Sequence, residues 1–358
     1  MWRERDVSTD LRPIVTGLCA YGMSGEVFHA PYLHALEEFS LHAVVERRNK
    51  KAAGTYADIR SFDSIEAMLA DPAVELVIVN TPNVNHYEHV RQALLAGKHV
   101  VVEKPFAVTV GEAEELVALA AKQQRSLVVF QNRRWDSDFM AVRKVVEEGV
   151  LGQLIEAEIH YDRFEKALSA KAHKESGLHG TGVLYDLGPH IIDQALCLFG
   201  KPDRVFAVLR ALRPGSAVTD YADITLLYPA LSVRVKTSLL ALEPVPGFVL
   251  HGTDGSFLKS RADVQVDTWS KGASPLDADW GREPPEEDGI LHTRVDGRDE
   301  RRRVPAPAGC YLGFFRALYR HLREGAPSPV ALADSLLNMR IIEAAQRSSR
   351  EQVVVALD

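Results

Sequence analysis

Short runs of β-branched and apolar residues recur through the first third of the chain, each separated from the next by a segment of helical period. Ile14–Leu18, Leu41–Val45, Leu76–Val79, His99–Val102 and Ser126–Phe130 lack polar alternation, the pattern of parallel strands covered on both faces. Asp63-Ser64-Ile65-Glu66 reads as a capping box ahead of Ala67-Met68-Leu69. Thr109-Val110-Gly111-Glu112 reads as a second, ahead of an apolar stripe of Ala113, Leu116, Val117 and Ala120. His86–Ala96 has helical period and stops at Gly97, a residue that enters the left-handed region without steric cost. This alternation predicts an α/β domain over residues 1–134, a parallel sheet with helices on both faces.

Beyond Arg134 the period changes. Phe139–Glu148 is helical and ends at Gly149, and Leu154–Tyr161 then alternates strictly, as a half-buried antiparallel strand does. Strand-like runs follow at Val205–Leu212, Ala222–Tyr228, Val233–Leu240 and Phe248–His251, with a helical pattern from Val183 to Leu198 among them. Val264–Ala308 is rich in Pro, Gly and charge and reads as a solvated, elaborated loop. Helices return at Tyr311–Glu324 and Ala331–Ser349. Residues 135–358 are therefore expected to form an α+β domain, an open, mainly antiparallel sheet with helices on one face.

Composition narrows the classes. The chain has 358 residues, is 46% hydrophobic and carries a net charge of −7, so it can bury sizeable cores and is no general polyanion binder. Nucleic acid is thus not an expected partner. Cys19, Cys197 and Cys310 are widely spaced and match neither a zinc site nor a disulfide framework. The run Ile14–Ala20 is too short to span a bilayer, and the leader Met1–Pro13 is charged. A cytoplasmic protein without membrane attachment is the expectation.

Candidate chemistry begins directly after the first strand. In Gly17-Leu18-Cys19-Ala20-Tyr21-Gly22-Met23-Ser24-Gly25 the pair Gly22-x-x-Gly25 supplies the last two glycines of the dinucleotide fingerprint G-x-G-x-x-G, and Ala20 replaces the first. Ala20, Tyr21, Gly22, Met23, Ser24 and Gly25 are thus candidate cofactor contacts, with pyrophosphate expected at the following helix N-terminus. The second strand runs into Glu46-Arg47-Arg48, about 20 residues beyond the glycines, where the adenosine ribose is read. Glu46 alone would indicate NAD; the guanidinium groups of Arg47 and Arg48 suit the 2′-phosphate of NADP. Residue type favours NADP, and NAD stays open.

Four later segments are more specific: Asn80-Thr81-Pro82-Asn83-Val84-Asn85-His86, Val102-Glu103-Lys104-Pro105-Phe106, Gln131-Asn132-Arg133-Arg134-Trp135-Asp136, and Leu184-Tyr185-Asp186-Leu187-Gly188-Pro189-His190-Ile191-Ile192-Asp193. In this order the set resembles the Gfo/Idh/MocA oxidoreductases, from about Ile14 to the C-terminal helices. Within that family it is most similar to the NADP-dependent scyllo-inositol 2-dehydrogenase branch, a likeness also carried by Gly252-Thr253-Asp254-Gly255-Ser256. The resemblance implies a Rossmann domain followed by a substrate-binding and oligomerisation domain, and a homodimer or homotetramer. It implies that Lys104 sits beside the nicotinamide and the reacting carbinol, with Pro105 in a cis peptide, and that Asp186 and His190 face the same carbinol. Asp193 would bind substrate hydroxyls, and Asn132, Arg134 and Tyr161 would help to read them. Asn80, Thr81, Pro82, Asn83, His86 and Glu103 would line the cofactor groove with Lys104. Two departures fall near the expected pocket: Gly180-Thr181-Gly182 stands where the family carries three glycines, and His173 where the near branch tends to carry tryptophan.

The chemistry is coherent without the family. Hydride removal from a secondary alcohol needs a base for the hydroxyl proton and a charge to stabilise the alkoxide. His190 has a reference pKa of about 6.5, near operating pH. Asp186, four residues earlier, is placed to orient the imidazole if both lie on one helical turn. Lys104 offers the positive charge. His173, His179 and His190 do not sit at helical metal-ligand spacing, so no metal is expected. An NADP(H)-dependent dehydrogenase of a cyclic polyol or sugar, such as scyllo-inositol, is the reading that results. Another inositol or an aldose is the alternative substrate, and a non-catalytic dinucleotide-sensing regulator the alternative class.

Overall fold

The computed structural model describes residues 12–170, 175 and 177–357; most of the charged leader, and His173, lie outside them. The chain divides into two compact units that are not contiguous in sequence.

The first unit runs through Glu103 and adds Leu116–Phe130 and Tyr311–Leu332. Its sheet contains β1 (Ile14–Leu18), β2 (Phe39–Val45), β3 (Arg60–Phe62), β4 (Leu76–Val79), β5 (His99–Glu103) and β6 (Leu127–Phe130) in the order β3-β2-β1-β4-β5-β6. All five pairings are parallel, the doubly wound order that leaves a crevice beyond the carboxyl ends of β1 and β4. Leu76–Val79 and Leu127–Phe130 are buried throughout, as unbroken apolar runs require. The β3 edge strand escaped the sequence pattern because three residues beginning with exposed Arg60 form no run. Tyr311 and the helix Leu312–Glu324 close this core from far along the chain: Phe130 meets Phe314 at 4.8 Å, and Tyr32 stacks on Phe315 at 5.9 Å.

The capping boxes differ in outcome. Thr109 and Glu112 exchange reciprocal backbone–side-chain bonds of 3.2 Å, as read. At the other, Ser64 rather than Asp63 caps the helix Ile65–Leu69, its hydroxyl accepting from Ala67 N at 3.1 Å, so the start lies one residue later than expected.

The second unit comprises Lys104–Glu115, Gln131–Cys310 and the chain from Ala333 onward. Its strands are β7 (Leu154–His160), β8 (Arg204–Arg210), β9 (Tyr221–Leu227), β10 (Ser232–Ser238), β11 (Phe248–Gly252), β12 (Gly255–Lys259), β13 (Gly289–Val295), β14 (Arg298–Val304) and β15 (Val355–Ala356). They form one sheet ordered β14-β13-β12-β11-β7-β10-β9-β8-β15, antiparallel except that β7 runs parallel to β10. Alternation in β10 buries Val233 and Val235 while Arg234 and Lys236 face the other way, so one sheet face is polar. The expected loop Val264–Ala308 instead holds a short helix, Gln265–Ser270, and the β13–β14 hairpin. Asp296-Gly297 makes its turn with positive φ at both residues, a pairing readable as a hairpin signal. The polar faces of β14 masked it, because only Val304 there is buried.

The helical stretch from Val183 is broken: Val183–Asp186 and Gly188–Phe199 are separate, divided at Leu187. Its entry is fixed by Gly182, whose φ is +86° and whose missing Cβ would lie 2.7 Å from Thr219 O, the acceptor of Val183 N–H at 2.6 Å. Asn338 donates to the Pro189 carbonyl at 2.8 Å and pins the first turn of the second helix. Gly182→Ala should therefore destabilise the protein by more than about 1 kcal/mol, and by more than Thr181→Gly, which loses an exposed hydroxyl bond to Leu178 O. Thermal unfolding of the two variants checks this; equal melting temperatures would refute the account of Gly182.

Candidate active site

The chain leaving β1 must turn sharply into a helix. Glu26 N–H donates to Gly22 O at 2.9 Å, and the residues Gly25–His29 form a wide i→i+5 turn before the helix Ala30–Ala35. A Cβ on Gly25 would meet Ala20 O at 2.6 Å, so this glycine is required. A Cβ on Gly22 would meet nothing within 4 Å; the space beside its backbone is open, as close approach of a pyrophosphate demands. Ala20, in place of the first glycine, is clamped by Asn80: its N–H donates to Oδ1 at 3.0 Å and its carbonyl accepts from Nδ2 at 2.8 Å. Tyr21 packs edge-on to Tyr56, and Met23 is exposed.

Ser24 has a further role that the sequence did not disclose. Its hydroxyl donates to Glu103 Oε1 at 2.6 Å, and the wholly buried His29 meets the same oxygen through Nε2 at 2.9 Å. Glu103, the first residue of Glu-Lys-Pro, thus ties the end of β5 to the turn after β1. No motif marked His29.

Glu46 is buried, and its carboxylate is already engaged. Oε1 accepts from Lys51 N at 2.7 Å and Oε2 from Ser61 Oγ at 2.9 Å, with Ala52 N shared between them. Arg47 and Arg48, directly after it, are exposed. Beyond β4, Thr81 accepts at its carbonyl from Nε2 of His86, 2.9 Å away, and meets His89 through its hydroxyl at 2.9 Å. His86 is therefore buried and braces the Asn80–Asn83 loop.

In the second unit, Lys104 precedes a cis Pro105, as the resemblance implied. Its ammonium donates to Asp186 O at 2.6 Å and to Asp186 Oδ1 at 3.0 Å. His190 is buried, and burial holds its pKa well below the ordinary value; the positive charges of Lys104, Arg133, Arg261 and Arg163 push the same way. Both effects disfavour the imidazolium, so the ring is held in its uncharged form. The expected bond from Asp186 to that ring is missing among the described residues, where Nδ1 of His190 has no partner. The break at Leu187 is the reason: Asp186 and His190 do not share a continuous helix, and the carboxylate turns to Lys104.

Arg134 and Asp193 face each other. Both carboxylate oxygens of fully buried Asp193 accept from the guanidinium at 2.8 Å, and Asp334 adds a contact at 3.2 Å. Burial pushes the Asp193 pKa up against the opposing pull of Arg134. Asn132 is buried in the single turn Asn132–Trp135. The Tyr161 ring lies 6.4 Å from that of His190 and is surrounded by guanidinium groups of Arg261 at 4.5 Å, Arg163 at 5.5 Å and Arg133 at 5.6 Å. This cationic cage was not legible: Arg163 and Arg261 belong to no motif. Among the described residues no group of three His, Cys, Asp or Glu side chains could hold a metal, and no helix is long and apolar enough to cross a membrane.

The strand order and the tight turn after β1 define a doubly wound, Rossmann-type class. Residues 14–131 match the model of the oxidoreductase family's NAD-binding Rossmann fold, and residues 143–357 that of its C-terminal alpha/beta domain. The chain belongs to the Gfo/Idh/MocA oxidoreductase family. It is 38% identical over 96% of its length to scyllo-inositol 2-dehydrogenase (NADP(+)) IolW of Bacillus subtilis, covering 96% of that protein. It is 31% identical to D-glucoside 3-dehydrogenase of Escherichia coli, over 53% of this chain and 55% of the other. The solved structure of yvaA from Bacillus subtilis superposes with a TM-score of 0.93 at 37% identity, covering 97% of this chain and 99% of that one.

Removing the Glu103 carboxylate leaves Ser24 and buried His29 without their shared acceptor. Glu103→Ala should lower stability by about 1–3 kcal/mol, measured by urea unfolding. An unchanged midpoint would show that this contact holds nothing.

Proposed function

We propose that the protein is an NADP(H)-dependent dehydrogenase that interconverts a secondary alcohol of a cyclic polyol and its ketone, with scyllo-inositol the leading substrate. The observation that carries the reading is Lys104 held on Asp186 at 3.0 Å in the unit that keeps His190 neutral. The turn Ala20–Gly25 would hold the cofactor pyrophosphate, and the open space at Gly22 fits it. Bound there, the nicotinamide supplies the hydride chemistry. His190 takes the hydroxyl proton, Lys104 stabilises the growing alkoxide, and Asp186 holds the Lys104 ammonium in place. Arg134, oriented by Asp193, and Tyr161 and Asn132 are the proposed readers of the remaining hydroxyls. Another inositol, or an aldose, would use the same machinery.

NADP is favoured over NAD by the engagement of Glu46. Its oxygens are taken by backbone N–H groups and Ser61, which leaves the exposed Arg47 and Arg48 to meet a 2′-phosphate. The polar face of the nine-stranded sheet is the proposed contact in a homodimer or homotetramer. Cofactor reduction with scyllo-inositol, read separately with NADP and NAD, tests the reading. Replacing Arg47 and Arg48 together by alanine should lower kcat/KM for NADP by about 10–100-fold and leave the NAD value nearly unchanged. Equal losses with both cofactors would contradict the assignment of the two arginines.

A further inference from the structure

Ser24 lies between Gly22 and Gly25, at the entry to the wide turn Gly25–His29. A serine in such a position ordinarily turns its hydroxyl back onto the backbone N–H groups that follow. Ser24 makes no such bond. Its hydroxyl donates instead to Oε1 of Glu103, the last residue of β5, at 2.6 Å. A hydroxyl has one proton to give, so while this bond holds Ser24 keeps only lone pairs and cannot also donate to a phosphate.

The acceptor is itself held from the core side. His29, 0% exposed, meets the same oxygen at 2.9 Å, and its ring packs 4.4 Å from that of Phe130, the last residue of β6. The β5–β6 register sets Glu103 opposite Phe130. Strand end, buried imidazole and carboxylate thus form one mount, and the Ser24 bond carries its position to the backbone of the turn. A hydroxyl bonded to a carboxylate is among the stronger hydrogen bonds. The main chain so fixed faces open space at Gly22, where a Cβ would meet nothing within 4 Å.

Resting on the dinucleotide reading above, we infer that Ser24 is a positioning residue for the cofactor pyrophosphate: through Glu103 it presets the Gly22–Gly25 backbone, and its own hydroxyl does not touch the phosphates. Presetting the turn removes an ordering cost that binding would otherwise bear. Both NADP and NAD carry the pyrophosphate, so Ser24 serves the two alike, in contrast to Arg47 and Arg48.

Calorimetric titration with NADPH, NADH and adenosine 2′-phosphate tests this, on wild type, Ser24→Ala, Ser24→Thr, Glu103→Met and the double variant Ser24→Ala with Glu103→Met. Ser24→Ala should weaken NADPH and NADH equally, by about tenfold, and Ser24→Thr, which keeps the hydroxyl, should restore both. Adenosine 2′-phosphate has no pyrophosphate and should bind Ser24→Ala as it binds wild type. Glu103→Met should cost at least as much as Ser24→Ala, and the double variant no more than Glu103→Met. A further loss in the double variant would show that the hydroxyl meets the phosphates itself, and overturns the inference. Unchanged dinucleotide affinity in Ser24→Ala overturns it too, as does an equal loss for adenosine 2′-phosphate, which marks general damage to the fold. The dinucleotide reading survives each of these results. The Ser24 series decides alone where Glu103→Met does not fold. Failure of wild type to bind either dinucleotide overturns that reading and this inference together.

Discussion

The ion pair between Lys104 and Asp186 is the contact that fixes where the lysine charge lies in the second unit. Lys104 follows directly on the strand β5, and its ammonium is fixed by two oxygens of one residue, the Asp186 carbonyl at 2.6 Å and Oδ1 at 3.0 Å. The Asp186 side chain is 43% exposed, so the pair contributes little stability, about 0–1 kcal/mol at most. Its effect is positional. It brings a positive charge toward His190, where Arg133, Arg163 and Arg261 add to the same field. The depressed pKa has a definite sign in linkage: the unfolded state takes up the His190 proton first. Burial of the neutral ring therefore makes the fold less stable as pH falls below about 6.5.

The dinucleotide turn follows a different physical rule, the close approach of backbone to a bulky anion. Gly25 is needed because a side chain would strike Ala20 O, whereas the space beside Gly22 is open. Ala20 stands where the fingerprint has glycine, and Asn80 satisfies both its N–H and its carbonyl.

Much of this was legible in the sequence, for identifiable reasons. Runs such as Leu76–Val79 announce buried parallel strands because nothing polar interrupts them, and Gly97 and Gly149 mark helix ends through their positive φ. Glu-Lys-Pro and Asp-x-x-x-His stand out because residue type and order are rare together. What stayed hidden depends on distance in the chain or on departures from regularity. The reading of Asp186 beside His190 assumed an unbroken helix, and the break at Leu187 moved the carboxylate to Lys104. The bonds that Glu46 accepts from Lys51, Ala52 and Ser61 could not be read from its place after the second strand. The guanidinium cage on Tyr161 draws on Arg133, Arg163 and Arg261, which no local spacing connects. The β13–β14 hairpin was obscured because its outer strand is almost entirely charged and exposed.

The central claim is that a neutral His190, kept so by burial and by the charge of Lys104, is the proton acceptor. An NMR titration of histidine-labelled protein, comparing wild type with Lys104→Met, tests it without relying on turnover. The account predicts a His190 midpoint well below about 6.5 in wild type, moving upward when the lysine charge is removed. A midpoint at or above that value, or one unmoved by the substitution, would contradict it.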